Sequence, residues 1–412
     1  MLVGQNILGH LVKQDMENPT EIKRSWNLQT NWPGPKVANK LIPVPFGRIA
    51  VPFVQTWREQ SLPTLDWEAK DFNIVIPEGV RCFSAAYLEV DLPSAQYRAY
   101  PGLYIIKTFR LRSGGDIVYE CDYAQYMADH CESMPQQKLD AFARVYLGGS
   151  AASGNAETRS VKLPLLLPNS TAMRRSSQST AGHGVFGAYT GGQKIQLEIT
   201  LNDALTPGRL SGTDNPTSIA TACRIMYHCV QVPNPLRKKY EDLRGFFNVA
   251  TRRFIQLSSG WKHYASAGTL VIDSLSQPSG TCLEVMLLAV PHVDNDHERA
   301  SHDYIKATHF EVVHDMVVQK SLNTIRKIES ELYTNGFAPP NDFASPARLC
   351  FASHCSSDST ALYTGGYDMS SATTLQFRFK FGVACDYRLV AVVYSSTRIG
   401  GDGLISSSID GL

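Results

Sequence analysis

Two stretches decide the reading of this chain: Tyr189-Thr190-Gly191-Gly192, followed by Lys194-Ile195-Gln196-Leu197-Glu198-Ile199-Thr200-Leu201, and Tyr363-Thr364-Gly365-Gly366, followed by Leu375-Gln376-Phe377-Arg378-Phe379-Lys380-Phe381. In each, apolar and polar residues alternate with period two, the pattern of a strand with one face on a core and one face wet. Each is succeeded by a more hydrophobic strand, Cys223 to Val232 or Tyr387 to Tyr394. Each is preceded by a strand, Val161 to Leu167 or Ala347 to Ala352, after a helical excursion that itself follows strands. The order of elements is therefore repeated with different loop lengths. The spacing predicts two β modules in tandem, each of about eight strands with a short helical insertion. A unit this long is not a solenoid or propeller repeat, whose periods run about 20–50 residues.

Further strands are expected at Phe72 to Ile76, Tyr87 to Leu92 and Leu103 to Arg112, bounded by Pro77-Glu78-Gly79, Pro93 and Gly114-Gly115. Cys282 to Val290 and Tyr387 to Tyr394 are nearly continuous apolar runs, as in strands covered on both faces. Helical spacing joins Tyr119, Tyr123, Tyr126, Met127 and His130, resumes at Leu139, Phe142, Ala143 and Tyr146, and returns at Leu322, Ile325, Ile328 and Leu332. Asn234-Pro235 opens and Gly245 closes a short helix between the modules. The expected division is an N-terminal arm over 1–60, a first module over 61–233, a connector helix over 234–250, a second module over 251–405 and a tail over 406–412. The arm follows from Trp32-Pro33-Gly34-Pro35 and Pro43-Val44-Pro45, which deny residues 1–60 ladder bonds and helix alike.

Composition agrees with a packed β protein of 412 residues. It is 43% hydrophobic and 19% charged, the latter below the ~25% usual in soluble domains. Thirty-nine basic against 38 acidic residues leave a net charge of +1, which provides no general field for nucleic acid or anionic lipid. Sequence-specific nucleic-acid binding is not expected. Cys82, Cys121, Cys131, Cys223, Cys229, Cys282, Cys350, Cys355 and Cys385 contain no C-x-x-C pair and read as reduced, buried thiols of a protein made in the cytosol. Met1 to Val12 is a poor signal peptide, and no apolar run approaches the ~20 residues of a bilayer crossing.

The chemistry-bearing patterns are weak. Gly182-His183-Gly184-Val185-Phe186-Gly187 matches G-x-G-x-x-G, but a strand rather than a helix follows it, so it reads as a loop. His292, Asp294, Asp296, His297, His302 and Asp303 are rich in metal-ligand types yet lack H-x-H and H-E-x-x-H, and read as a solvated loop after a strand. Cys350, His354 and Cys355 read as strand-end packing. Arg237, Lys238, Lys239, Arg244, Arg252 and Arg253 read as a wet helix face with a rim of intersubunit ion pairs. Asn169-Ser170-Thr171 fits the glycosylation pattern but, without a leader, should stay unmodified. No catalytic residue, cofactor site or metal site is expected, and the absent H-x-H removes the usual signature of cupin enzymes.

The run Phe109-Arg110-Leu111-Arg112-Ser113-Gly114-Gly115-Asp116-Ile117-Val118 with its Tyr-rich sequel resembles a strand-turn of the double jelly-roll major capsid proteins of icosahedral double-stranded DNA viruses. So do Arg237-Lys238-Lys239-Tyr240 through Arg253-Phe254-Ile255-Gln256-Leu257, and Tyr363-Thr364-Gly365-Gly366 with the Phe-alternating strand. The resemblance implies an all-β fold of two tandem eight-stranded jelly-roll sandwiches with short helical insertions. It implies a homotrimer forming a pseudo-hexagonal tile of a virion shell, in contact with neighbouring capsomers and minor or penton proteins. Residues 1–60 would tie tiles together, Met1 to Val12 would touch an internal membrane where one exists, and Asn169 to Thr190 would form a loop at a module end. A penton, spike or glycan-binding module, or an enzyme on a jelly-roll scaffold, are the competing readings.

Overall fold

The computed structural model describes residues 54–62, 71–77, 82–92, 94, 97, 99–114, 116–123, 125–127, 136–151, 156–165, 186–187, 195–202, 222–231, 247–258, 260–274, 280–294, 304–334, 346–354, 363–369, 373–399 and 405–408. The first half holds β1 (Val54–Ser61), β2 (Asp71–Val75), β3 (Cys82–Asp91), β4 (Ile106–Ser113), β5 (Asp116–Asp122), helix α1 (Gln136–Tyr146), β6 (Ser160–Leu165), β7 (Phe186–Gly187), β8 (Ile195–Leu201) and β9 (Ala222–Gln231). The second half holds β10 (Phe247–Gln256), β11 (Lys262–Tyr264), β12 (Val271–Ser274), β13 (Thr281–Val290), β14 (Ala307–His314), β15 (Val317–Leu322) and helix α2 (Ile325–Thr334). It continues with β16 (Ala347–Cys350), β17 (Ala352–His354), β18 (Tyr363–Gly365), β19 (Tyr367–Asp368), β20 (Leu375–Phe381), β21 (Cys385–Ile399) and β22 (Ile405–Ser408).

Strand pairing makes two sandwiches of the same design. In the first, β1-β9-β3-β6 faces β2-β8-β4-β5; in the second, β10-β21-β13-β16 faces β12-β20-β14-β15. Matched in chain order, the eight strands of one half and the eight of the other follow the same path, all antiparallel, which is the jelly-roll arrangement of two four-stranded sheets. Even a minor strand is repeated: β7 docks on the start of β3 and β19 on the start of β13. The turn into β19 needs Gly366, whose φ is +135°, and a Cβ there would lie 2.4 Å from Thr281 Cγ2.

Alternation places the cores. Leu375, Phe377, Phe379 and Phe381 of β20 point inward with Val285, Leu287, Leu389 and Ala391 from the opposing sheet. In the first sandwich Leu197, Ile199 and Leu201 of β8 meet Leu88, Val90, Ile225 and Tyr227. The helices lie at equivalent places, after β5 and after β15. Helix α1 buries Leu139, Phe142 and Ala143. Helix α2 buries Ile328 and Leu332, and its start is capped where Thr324 Oγ1 accepts from the Lys327 N–H at 3.3 Å.

Several expectations shift. The arm was drawn over 1–60, but Val54–Ser61 is β1, paired residue for residue with β9, because its alternate residues complete the first sheet's edge. The connector was drawn over 234–250, but β10 already runs from Phe247; residues 234–245, where the helix is expected, lie outside the described part. The tail drawn over 406–412 contains most of β22, which pairs with β21. Tyr119 and Leu322, read as helical, lie in β5 and β15. Helical conformation begins at Tyr123 and includes Tyr126 and Met127, so the expected stripe is helical from Tyr123 and only its first member, Tyr119, lies in the strand before it. The first copy of the Tyr-Thr-Gly-Gly echo is outside the described residues.

Candidate functional site

The two β1-type sheets present very different outer faces. On the first, Glu89 lies between Lys162 (2.8 Å) and Arg224 (2.7 Å), and Arg224 reaches Glu59 at 3.5 Å, a charge ladder in contact with water. Lys162 also sits over the rings of Trp57 and Tyr87, at 5.0 and 5.2 Å. On the second, the outward row of β13 and β21 is apolar: Met286, Leu288, Val290, Val390 and Val392 are buried with Tyr304, against Phe254 and Trp261. Phe254 packs on the core of the first sandwich as well. Arg388, also outward on β21, makes two 3.2 Å bonds to Asp122 Oδ2 at the end of β5 and lies 4.8 Å over the Trp261 ring. The covered face is thus where the sandwiches meet, and a charged pair fixes their register.

Where that face ends, the chain assembles a compact polar group. The β11–β21 register sets His263 opposite Asp386, and the β13–β21 register brings in the chain just after Val290. The His263 and His292 Nδ1 atoms lie 3.1 and 2.7 Å from Asp386 Oδ1, with ring centroids 3.9 Å apart. Asp386 is 3% exposed, whereas the two imidazole side chains are 44% and 43% exposed. Among the described residues this is the group of three metal-ligand side chains whose donor atoms converge, all within 4.8 Å.

Of the residues singled out in the sequence, His292 thus takes partners from other strands. Asp294 is the loop residue near it, 3.7 Å from His292 Nε2; Asp296, His297, His302 and Asp303 lie outside the described part. His263 and Asp386 carry no local signal. Of the glycine-rich hexad, read as a loop, only Phe186–Gly187 is described, and that pair is strand β7, hydrogen-bonded to the start of β3. Cys350 is buried on β16 with Sγ 3.9 Å from Glu284 Oε2; His354 belongs to β17, and Cys355 is outside the described residues. Arg252 and Arg253 lie in β10, so they are sheet residues and not part of a helix face; Arg237, Lys238, Lys239, Arg244 and Asn169 are outside.

Cys121, Cys223, Cys229, Cys282, Cys350 and Cys385 are buried. Burial, with Asp91 nearby, pushes the Cys223 thiol up to about 12, and burial, with Asp386 nearby, pushes Cys385 up to about 12. A thiol held in that range supplies no thiolate nucleophile near neutral pH. No helix among the described residues is long and apolar enough to cross a membrane.

No family profile and no curated protein matches the sequence. Solved structures do match over nearly their whole length. The capsid of the virus PBCV-1, in a quasi-atomic model, superposes with a TM-score of 0.64 at 8% identity, covering 87% of this chain and 97% of that one. The Faustovirus major capsid protein gives 0.61 at 11% identity, covering 86% and 91%. The mavirus major capsid protein gives 0.52 at 10% identity, covering 89% and 91%. The fold is therefore the double jelly roll of viral major capsid proteins.

Proposed function

We propose that this chain is a major capsid protein whose homotrimers are pseudo-hexagonal tiles of an icosahedral virus shell. The observation that carries the proposal is the strand-for-strand repetition of one sandwich by the other, locked through a buried face. Two like modules per chain, repeated by a threefold axis, approximate sixfold packing while keeping inequivalent edges for distinct neighbours. The three solved structures of like fold reported above are of viral capsids. Buried thiols and an apolar junction suit a part whose work is burying surface rather than bond chemistry.

On this reading the chain is not an enzyme, and its partners are two copies of itself, neighbouring capsomers and minor or penton proteins. Its place is the virion, after synthesis in the host cytoplasm. On the same reading the segment before Val54 serves to tie the tile to neighbours or to an inner layer, with Met1 to Val12 meeting an internal membrane where one exists, and the two sandwiches are the domains. Light scattering coupled to size exclusion, with negative-stain images of the purified full chain, tests this. Particles of three times the 45.5 kDa chain mass with a hexagonal outline are expected. Monomers at every concentration and ionic strength would overturn it.

A further inference from the structure

We propose that His263, His292 and Asp386 form a binding site for a zinc-like divalent transition metal that cross-ties three segments at the end of the second sandwich. The donor set is two imidazoles and a carboxylate, the mixture that suits borderline first-row divalent cations. Around a tetrahedral ion with bonds of 2.0–2.2 Å, neighbouring ligand atoms stand about 3.3–3.6 Å apart. The 2.7 and 3.1 Å separations here would widen, and the widest donor separation, inside 4.8 Å, would close by up to about 1.5 Å, for the three side chains to surround an ion. The site is also reachable: the carboxylate is buried, while both imidazoles keep nearly half their surface in solvent, which leaves a coordination position for water.

Asp294, an exposed loop residue, stands 3.7 Å from His292 Nε2, beyond hydrogen-bond distance. The three ligands come from β11, β21 and the chain after β13, so an ion there would pin the end of the sheet that borders the module junction at Trp261 and Arg388.

The test is titration of the metal-stripped full chain with Zn²⁺ near neutral pH, read by calorimetry and by metal content after gel filtration. One equivalent is expected to bind, with affinity about a hundredfold weaker in His263→Ala and in His292→Ala. The substituted histidines are half-exposed, so circular dichroism should match the wild type. Footprinting of the unmutated chain with diethyl pyrocarbonate serves where a variant misfolds: Zn²⁺ should protect His263 and His292. Absence of stoichiometric binding, binding unchanged in both histidine variants, or protection only at other histidines would each overturn the site. None of these outcomes bears on whether the chain forms trimers.

Discussion

On β3 and β6 of the first sandwich, Glu89 and Lys162 meet across the outer face with 19% and 26% of their side chains in water; on β13 and β16 of the second, Glu284 and Arg348 meet at 3.0 Å with 3% and 0%. The strands correspond in the fold, and so does the type of contact. What differs is the solvent. An exposed pair gains little because water screens it, while a buried pair has given up its hydration and depends on its partner. The same sheet design thus serves as a wetted wall in one module and as an internal layer in the other, and the sequence change that converts one to the other is the replacement of outward polar residues by Met286, Leu288, Val290, Val390 and Val392.

The contrast is breakable by substitution. The largest effect is expected for Arg348→Ala, which strands Glu284 in a buried setting and should cost about 3–5 kcal/mol in urea unfolding at fixed protein concentration. Its counterpart Lys162→Ala should cost no more than about 1 kcal/mol; equal losses would mean the two outer faces are not differently solvated. An intermediate effect is expected at the junction. Arg388→Met keeps the length over Trp261 but leaves Asp122 without its guanidinium, at about 1.5–3 kcal/mol, with the two modules melting less cooperatively in calorimetry.

The smallest effect sharpens the wet side. Burial raises the Glu89 carboxyl, but the contacts from Lys162 and Arg224 outweigh it and hold the group below its ordinary value. A depressed carboxyl stabilises the fold above its unfolded value and loses that contribution as the pH falls through the lowered one. Glu89→Gln should therefore remove about 0.2–1 kcal/mol at neutral pH and flatten the acid limb of the stability curve, with no difference from wild type in strong acid.

Much of this fold was legible because a strand writes its burial in every second residue. Leu375–Phe381 matches its strand to the residue, and the two nearly continuous apolar runs are covered on both faces, as expected. The sequence did not say what covered them, since that depends on the other module. β1 was missed because Val54–Ser61 is polar and follows a proline-rich stretch; only its pairing with β9 makes it a strand. The His263–His292–Asp386 group was half visible. His292 drew attention through its acidic neighbours, but its partners stand in other strands, and only the sheet register brings them together.

The doubly covered sheet of the second sandwich has a bearing on how the chain is made. Released alone, that sandwich would show water a slab of methionine, leucine and valine, whereas the first wears charges on the outer face of the corresponding sheet. A ribosome delivers the first half earlier, so its core can form before the greasy face of the later half emerges. A circular permutant that reverses this order would have to carry its greasy side unprotected until the last strands arrive, and insoluble product is the expected result.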